Sequence, residues 1–366
     1  MNLKDNWNSY KNKELESLET ILKDRGFTLA PEQPHITGER FLMQAVTTAS
    51  GKKLILYGTD QSDKKVVIKA TSDDSGKKEL QHERECRSFL KEIDFAADTF
   101  HTPEEIAFFE EDGMLISVNV FISQPSTFLE RNLEEQFTFA LSAFKAQEGA
   151  HATTYKHIES IRRAYQVRSG KDYVSRFKEF IDVVNHNEQA TNETKRALTA
   201  ASKKIEANTE AIERYCRFLT HTDFVPHNVR IDNYGTMYLL DYSSLVFGNK
   251  HEGWARFLNF MTLYNPELEK ALLDYVRDNR AQEEYQSLHL MRLYRLGEII
   301  RYYVGTLEHS THDLYTLNKS RVAFWTSVLE AELNNERISQ ESREAYILQR
   351  DSLRSPEEKK RQVGLH

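Results

Sequence analysis

The chain has 366 residues, a formal net charge of −7, and 39% hydrophobic, 11% aromatic and 29% charged residues. That length suffices for two domains or one elaborated domain with a sizeable core, and the even mixture of charges argues against disorder along the whole chain. The acidic balance speaks against an electrostatic grip on nucleic acid. With only Cys86 and Cys216 there is no disulfide framework or zinc ribbon, and no run reaches the roughly 20 apolar residues a membrane span needs.

A soluble cytoplasmic chain without a membrane partner is therefore expected. In chain order, Leu15, Leu18, Ile21 and Leu22 fall at helical spacing between Lys11 and Arg25, and Gly26 is a natural stop. Pro31 and Pro34 break the chain. Strand-like runs follow at Phe41 to Thr48, Leu54 to Tyr57 and Val66 to Ala70, separated by turns at Ala49–Lys53 and Asp60–Asp63. Turn residues between β-branched runs predict an antiparallel sheet. A helix is expected from about Lys77 to Ile93, with Leu80, Cys86, Phe89 and Leu90 on one side. Two more strands are expected at Glu105 to Phe109 and Met114 to Ile122. Beyond Pro125 the chain reads as helical from Leu129 to Tyr215. A short hairpin at Val229–Ile231 and Met237–Leu240 precedes further helices from Gly253 to about Gln349 and a frayed polar tail. A run of strands followed by a run of helices implies an α+β fold.

The chemistry concentrates in His221-Thr222-Asp223-Phe224-Val225-Pro226-His227-Asn228 and in Leu239-Leu240-Asp241-Tyr242-Ser243. Asn228 lies five positions beyond Asp223, and Asp241 eighteen. Pro226 favours a tight loop, and the hairpin returns the chain so that Asp241 can sit beside Asn228. An Asp and an Asn offer hard oxygen ligands suited to magnesium bridging nucleotide phosphates. Asp223 is left to accept a hydroxyl proton or orient the nucleophile. A chance arrangement of turn and cap residues is the plainer alternative for these positions. The Ser-Gly-Lys triplets at Ser50, Ser75 and Ser169 lack the phosphate-loop frame and read as turns.

At these residues the chain resembles the aminoglycoside phosphotransferase and choline kinase family, a branch of the protein-kinase-like fold. The family's His-Gly-Asp-Leu-His-Pro-Gly-Asn loop has its His, Asp, Pro and Asn at His221, Asp223, Pro226 and Asn228, and the family's metal-binding Asp falls on Asp241. Thr222 and His227 stand where the family has glycines, and Tyr242-Ser243 replaces an aromatic–acidic pair. Val66-Val67-Ile68-Lys69 is similar to the strand whose Lys holds the α- and β-phosphates. Glu83 is similar to that lysine's ion-pair partner, with Glu85 as the competing choice.

The resemblance implies a protein-kinase-like architecture, with a small antiparallel-sheet N-lobe carrying one helix and a larger, mostly helical C-lobe. The expected organisation is a helical leader over 1–35, a nucleotide-binding N-lobe over 36–123, and a helical C-lobe over 124–353 with the catalytic loop and acceptor site. Residues 169–213 form a helical insertion within it, and 354–366 a polar tail. The implied activity is Mg2+-dependent transfer of the γ-phosphate of ATP (or GTP) to a hydroxyl of a small acceptor such as an aminoglycoside, amino sugar or choline-like alcohol. Asp223 would act with His221 supporting the loop. Lys69 and Glu83, with Ser50 and Gly51 of the phosphate-covering turn, would hold the nucleotide, and Asn228 and Asp241 the metal. A catalytically weak, pseudokinase-like ligand-binding or adaptor protein is the alternative, motivated by the single glycine of that turn.

Overall fold

In the computed structural model, residues 3–31, 33, 53–93, 101–151, 155–354, 356 and 359 are described. The strand expected at Phe41 to Thr48, the turn with Ser50 and Gly51, and most of the polar tail lie outside them. The chain divides into two compact units. The first comprises Met1–Ser88, His101–Gln124 and Ile231–Ser243, and the second Phe89–Phe100, Pro125–Arg230 and Ser244–His366.

In the first unit, helix α1 (Leu3–Asp24) is stopped by Gly26, whose φ of +80° suits a residue without Cβ. The Phe27 amide then bonds back to the Leu22 carbonyl at 2.8 Å. Strand β1 (Thr28–Leu29) follows, then β2 (Leu54–Thr59), β3 (Lys65–Thr71), helix α2 (Asp74–Glu92), β4 (Glu105–Glu111) and β5 (Met114–Val120). The strands form one antiparallel sheet in the order β1-β2-β3-β5-β4. Alternation along β2 and β3 sends Leu54, Leu56, Val66, Ile68 and Ala70 to a single face, where Leu18, Ile21, Leu22 and Phe27 cover them. Each of the larger of these side chains contributes roughly 1.5–3 kcal/mol by burial. The helical leader is thus part of this unit's core, and β1 extends the sheet.

Lys69 pairs with Ile55 on one side and Ser117 on the other, so it stands mid-sheet on the face opposite that core. Residues 231–243 complete the unit with strand β9 (Met237–Leu239), counting β6 to β8 among the strands given next.

The second unit contains helices α3 (Leu133–Gly149), α4 (Tyr155–Ala164), α5 (Gly170–His186), α6 (Asn192–Ala207) and α7 (Thr209–Glu213). Further along come α8 (His251–Tyr264), α9 (Pro266–Asn279), α10 (Gln282–Leu307), α11 (His312–Leu333) and α12 (Gln340–Ser352). The stretch 169–213 is helical, and Ser169 of the third Ser-Gly-Lys triplet is the N-cap of α5, in a capping box with Asp172. Three strands missed by the sequence reading, β6 (Gln166–Val167), β7 (Phe218–His221) and β10 (Leu245–Gly248), form a sheet in the order β6-β10-β7. Strand β8 (Val229–Ile231) follows the motif loop. Helix α8 is buried along nearly its whole length. Among the described residues no helix is long and apolar enough to cross a membrane.

Candidate active site

The chemistry-bearing residues of the first unit gather on the sheet face opposite α1. Lys69 Nζ lies 2.7 Å from both carboxylate oxygens of Glu83, a bidentate contact in which the side chains are 18% and 9% exposed. Of the two glutamates named for this pairing, Glu83 is buried in contact with Lys69 and Glu85 is exposed. One turn earlier, Glu79 is paired with Lys53. Burial pushes the Glu79 carboxyl up, opposed by Lys53 and reinforced by the negative charges of Asp241 and Glu83.

Asp241 belongs to this unit. The residues flanking it are held by one acceptor: the His101 carbonyl receives the Leu239 amide and the Tyr242 hydroxyl, each at 2.9 Å. Asp241 itself has φ +60°, a left-handed conformation that Asp tolerates better than most residues and that clusters at functional sites. Its Oδ1 accepts the Ser243 hydroxyl at 2.6 Å.

In the second unit the motif loop leaves β7 at His221, which is fully buried and pairs with Leu245 of β10. The Thr222 amide and hydroxyl both bond the Ser244 carbonyl at 2.9 Å, so the side chain adds a tether to that of the backbone. Phe224 drives the loop into the core, stacked on Phe257 of α8 with ring centroids 5.2 Å apart. Pro226 opens a single 3-10 turn, Pro226–Asn228, that closes the loop.

Asp223 remains partly exposed, and both its oxygens are engaged. Asn228 Nδ2 donates to Oδ2 at 3.0 Å and to the Asp223 carbonyl at 2.9 Å. Arg256 donates to Oδ1 from Nε, with Nη2 also 3.0 Å from that oxygen. The structure therefore brings Asp223 and Asn228 together and adds Arg256, which the sequence reading missed. Its only signal was an arginine on the helix following the motif, which spacing alone does not tie to Asp223.

Helix α8 presents Arg256 from a firmly fixed base. Glu252, fully buried, accepts Arg168 Nη1 and the Tyr173 hydroxyl, each at 2.6 Å, and Arg295 at 3.3 Å. Gly253 lets α8 approach β7: a Cβ there would fall 2.5 Å from Gln147 Oε1 and 2.7 Å from the His221 carbonyl oxygen. Ser50 and Gly51, named for the phosphate-covering turn, lie outside the described residues.

In the second unit Asn228 spends its amide nitrogen on Asp223, leaving an amide oxygen, and in the first unit Asp241 carries a carboxylate. Each is a donor type that hard divalent cations accept. Among the described residues no cluster of three or more His, Cys, Asp or Glu forms a self-contained metal cage.

No protein-family model matches the sequence, and no curated protein matches it. Solved structures do match. The aminoglycoside phosphotransferase APH(4)-Ia, as a thermostable mutant in ternary complex with ADP and hygromycin B, superposes with a TM-score of 0.58 at 13% identity, over 88% of this chain and 100% of that one. A macrolide 2'-phosphotransferase type I gives 0.55 at 14% identity, over 84% and 96%. The macrolide 2'-phosphotransferase MphH from Brachybacterium faecium gives 0.54 at 12%, over 84% and 98%. At such identities the likeness is one of fold: this α+β chain, a small antiparallel sheet with a mostly helical remainder, has the aminoglycoside phosphotransferase-like kinase fold.

Proposed function

We propose that the protein is a small-molecule kinase that transfers the γ-phosphate of ATP (or GTP) to an alcohol group of a small acceptor. The observation that carries this reading is the bidentate Lys69–Glu83 pair, a cation fixed mid-sheet in a kinase-like fold. An ammonium tethered in this way presents a fixed positive charge to nucleotide phosphates. The neighbour in ternary complex with ADP and hygromycin B supports a nucleotide as donor and a small molecule as acceptor. An aminoglycoside, amino sugar, macrolide or choline-like alcohol falls within that class.

Asp223 orients the acceptor hydroxyl and takes its proton as the new O–P bond forms. The bond from the γ-phosphorus to the β–γ bridging oxygen breaks, and ADP leaves with that electron pair. Arg256 and Asn228 hold the Asp223 carboxylate in one orientation, so little reorganisation is needed at the moment of transfer. His221 anchors the loop from its buried position in β7. Asn228 and Asp241 would hold Mg2+ through oxygen; bound there, the metal neutralises phosphate charge.

The test is a phosphoryl-transfer screen over aminoglycosides, macrolides, amino sugars and choline-like alcohols, with Asp223→Ala as the blank. Expected is transfer to at least one acceptor, reduced on the order of 10²–10⁴-fold in the variant, with ADP-induced thermal stabilisation retained. A wild-type protein that binds Mg-ATP yet turns over no acceptor would favour the pseudokinase-like alternative. Full turnover by Asp223→Ala would overturn the role of that residue.

A further inference from the structure

The first unit holds a second lysine–glutamate pair that the reading above leaves without a role. Lys53 immediately precedes β2, whose register sets Leu54 against Ala70 and Ile55 against Lys69. Because side chains alternate along a strand, Lys53 shares a face with Ile55 and Lys69, opposite the face on which Leu54, Leu56, Ile68 and Ala70 enter the core. The partners repeat the arrangement. Glu79 and Glu83 are four residues apart on α2 and therefore on one side of it; Glu79 binds Lys53 through Oε1 alone, while Glu83 holds Lys69 with both oxygens. Two ammonium groups, one just before β2 and one in β3, are thus each tethered by a carboxylate from the same helix face.

This is not a solvated surface pair. The Lys53 and Glu79 side chains are 11% and 18% exposed, and Glu79 Oε2 is buried without a hydrogen-bond partner. Holding a lysine this way costs side-chain entropy and carboxylate desolvation. The turn from Ala49 to Lys53 has a single glycine, Gly51, in place of a glycine-rich series. A side-chain cation just before β2 supplies positive charge there.

We propose that Lys53, positioned by Glu79, is a second phosphate-binding cation of the nucleotide site, gripping the polyphosphate from β2 while Lys69 grips it from β3. This rests on the nucleotide-binding part of the function proposed above. The ligand it recognises is the di- or triphosphate group, not the nucleoside.

The experiment measures binding of ADP and of adenosine to the full chain by calorimetry, in the wild type and in Lys53→Met, Lys53→Arg and Glu79→Gln. Expected for Lys53→Met is ADP affinity weaker by about 10- to 100-fold, the loss of one charge-assisted contact, with adenosine affinity unchanged. Lys53→Arg should recover much of it, and Glu79→Gln should weaken ADP in the same direction by less. Wild-type ADP affinity in Lys53→Met overturns the proposal, as does an equal loss of ADP and adenosine, which would mark Lys53 as structural. If Lys53→Met does not fold, Lys53→Gln is read by the same criteria. A wild-type protein that binds neither ligand would instead sink the nucleotide-binding reading itself.

Discussion

Replacing Glu83 with Gln keeps the shape of the side chain and removes its charge. Lys69 Nζ now sits 2.7 Å from both Glu83 oxygens, and the two side chains are 18% and 9% exposed. Breaking a fully buried pair by deleting one partner costs about 3–5 kcal/mol, while an exposed pair contributes about 0–1 kcal/mol. Lys69 keeps some access to water, so the expected cost of Glu83→Gln lies between these limits, about 2 kcal/mol. Lys69→Met should cost a similar amount, and the double variant no more than either alone, because the interaction is lost once. Denaturant unfolding of the wild type, the two single variants and the double variant closes the cycle, with an expected coupling of about 2 kcal/mol. Glu85→Gln is the control and should stay within about 0.5 kcal/mol of wild type, as exposed substitutions generally do. Additive single effects, or a larger cost at Glu85 than at Glu83, would refute the pairing argument.

Arg256→Met should lower the rate of phosphoryl transfer by about 10- to 100-fold, the worth of one charge-assisted bond to Asp223, while leaving ADP-induced stabilisation unchanged. Arg256→Lys should recover only part of the rate, because a lysine lacks the planar fork; wild-type turnover in Arg256→Met would refute the positioning role. A pH dependence follows from His251, which lies 3.7 Å from Glu284; full burial lowers the His251 pKa from 6.5 to about 4. The unfolded chain takes up this proton first as pH falls, so the contribution is complete above about pH 6.5 and is lost between about 6.5 and 4. Across that window the wild type should lose on the order of 3 kcal/mol relative to His251→Gln at about 1.4 kcal/mol per pKa unit, read from unfolding curves at each pH; parallel curves would show that His251 is not held neutral.

Sequence periodicity read the elements that carry their own signal. The alternation of β2 and β3, the helical spacing of Leu15, Leu18, Ile21 and Leu22, and the stop at Gly26 are all local, and the strands and helix form there. Strands β6, β7 and β10 were not legible for the opposite reason. They are two to four residues long, too short for an alternating pattern, and Val246 finds its ladder partners at Gln166 and Thr220, far along the chain. The leader read as a separate segment because nothing local says that Leu18 and Leu22 will cover Leu54 and Ile68.

The sequence by itself determined the order and spacing of the reactive groups, Lys69 before Asp223, Asn228 and Asp241, since spacing is a property of the chain alone. Tertiary structure decided which of them have partners. It turned α2 so that Glu83 and Glu79, rather than Glu85, meet lysines on the sheet, because burying Leu80, Cys86 and Leu90 sets that helix's rotation. It also set Arg256 against Asp223, because the Glu252 network and the missing Cβ of Gly253 fix how α8 packs beside β7. Those contacts join residues tens of positions apart, and only packing of the folded chain brings such residues together.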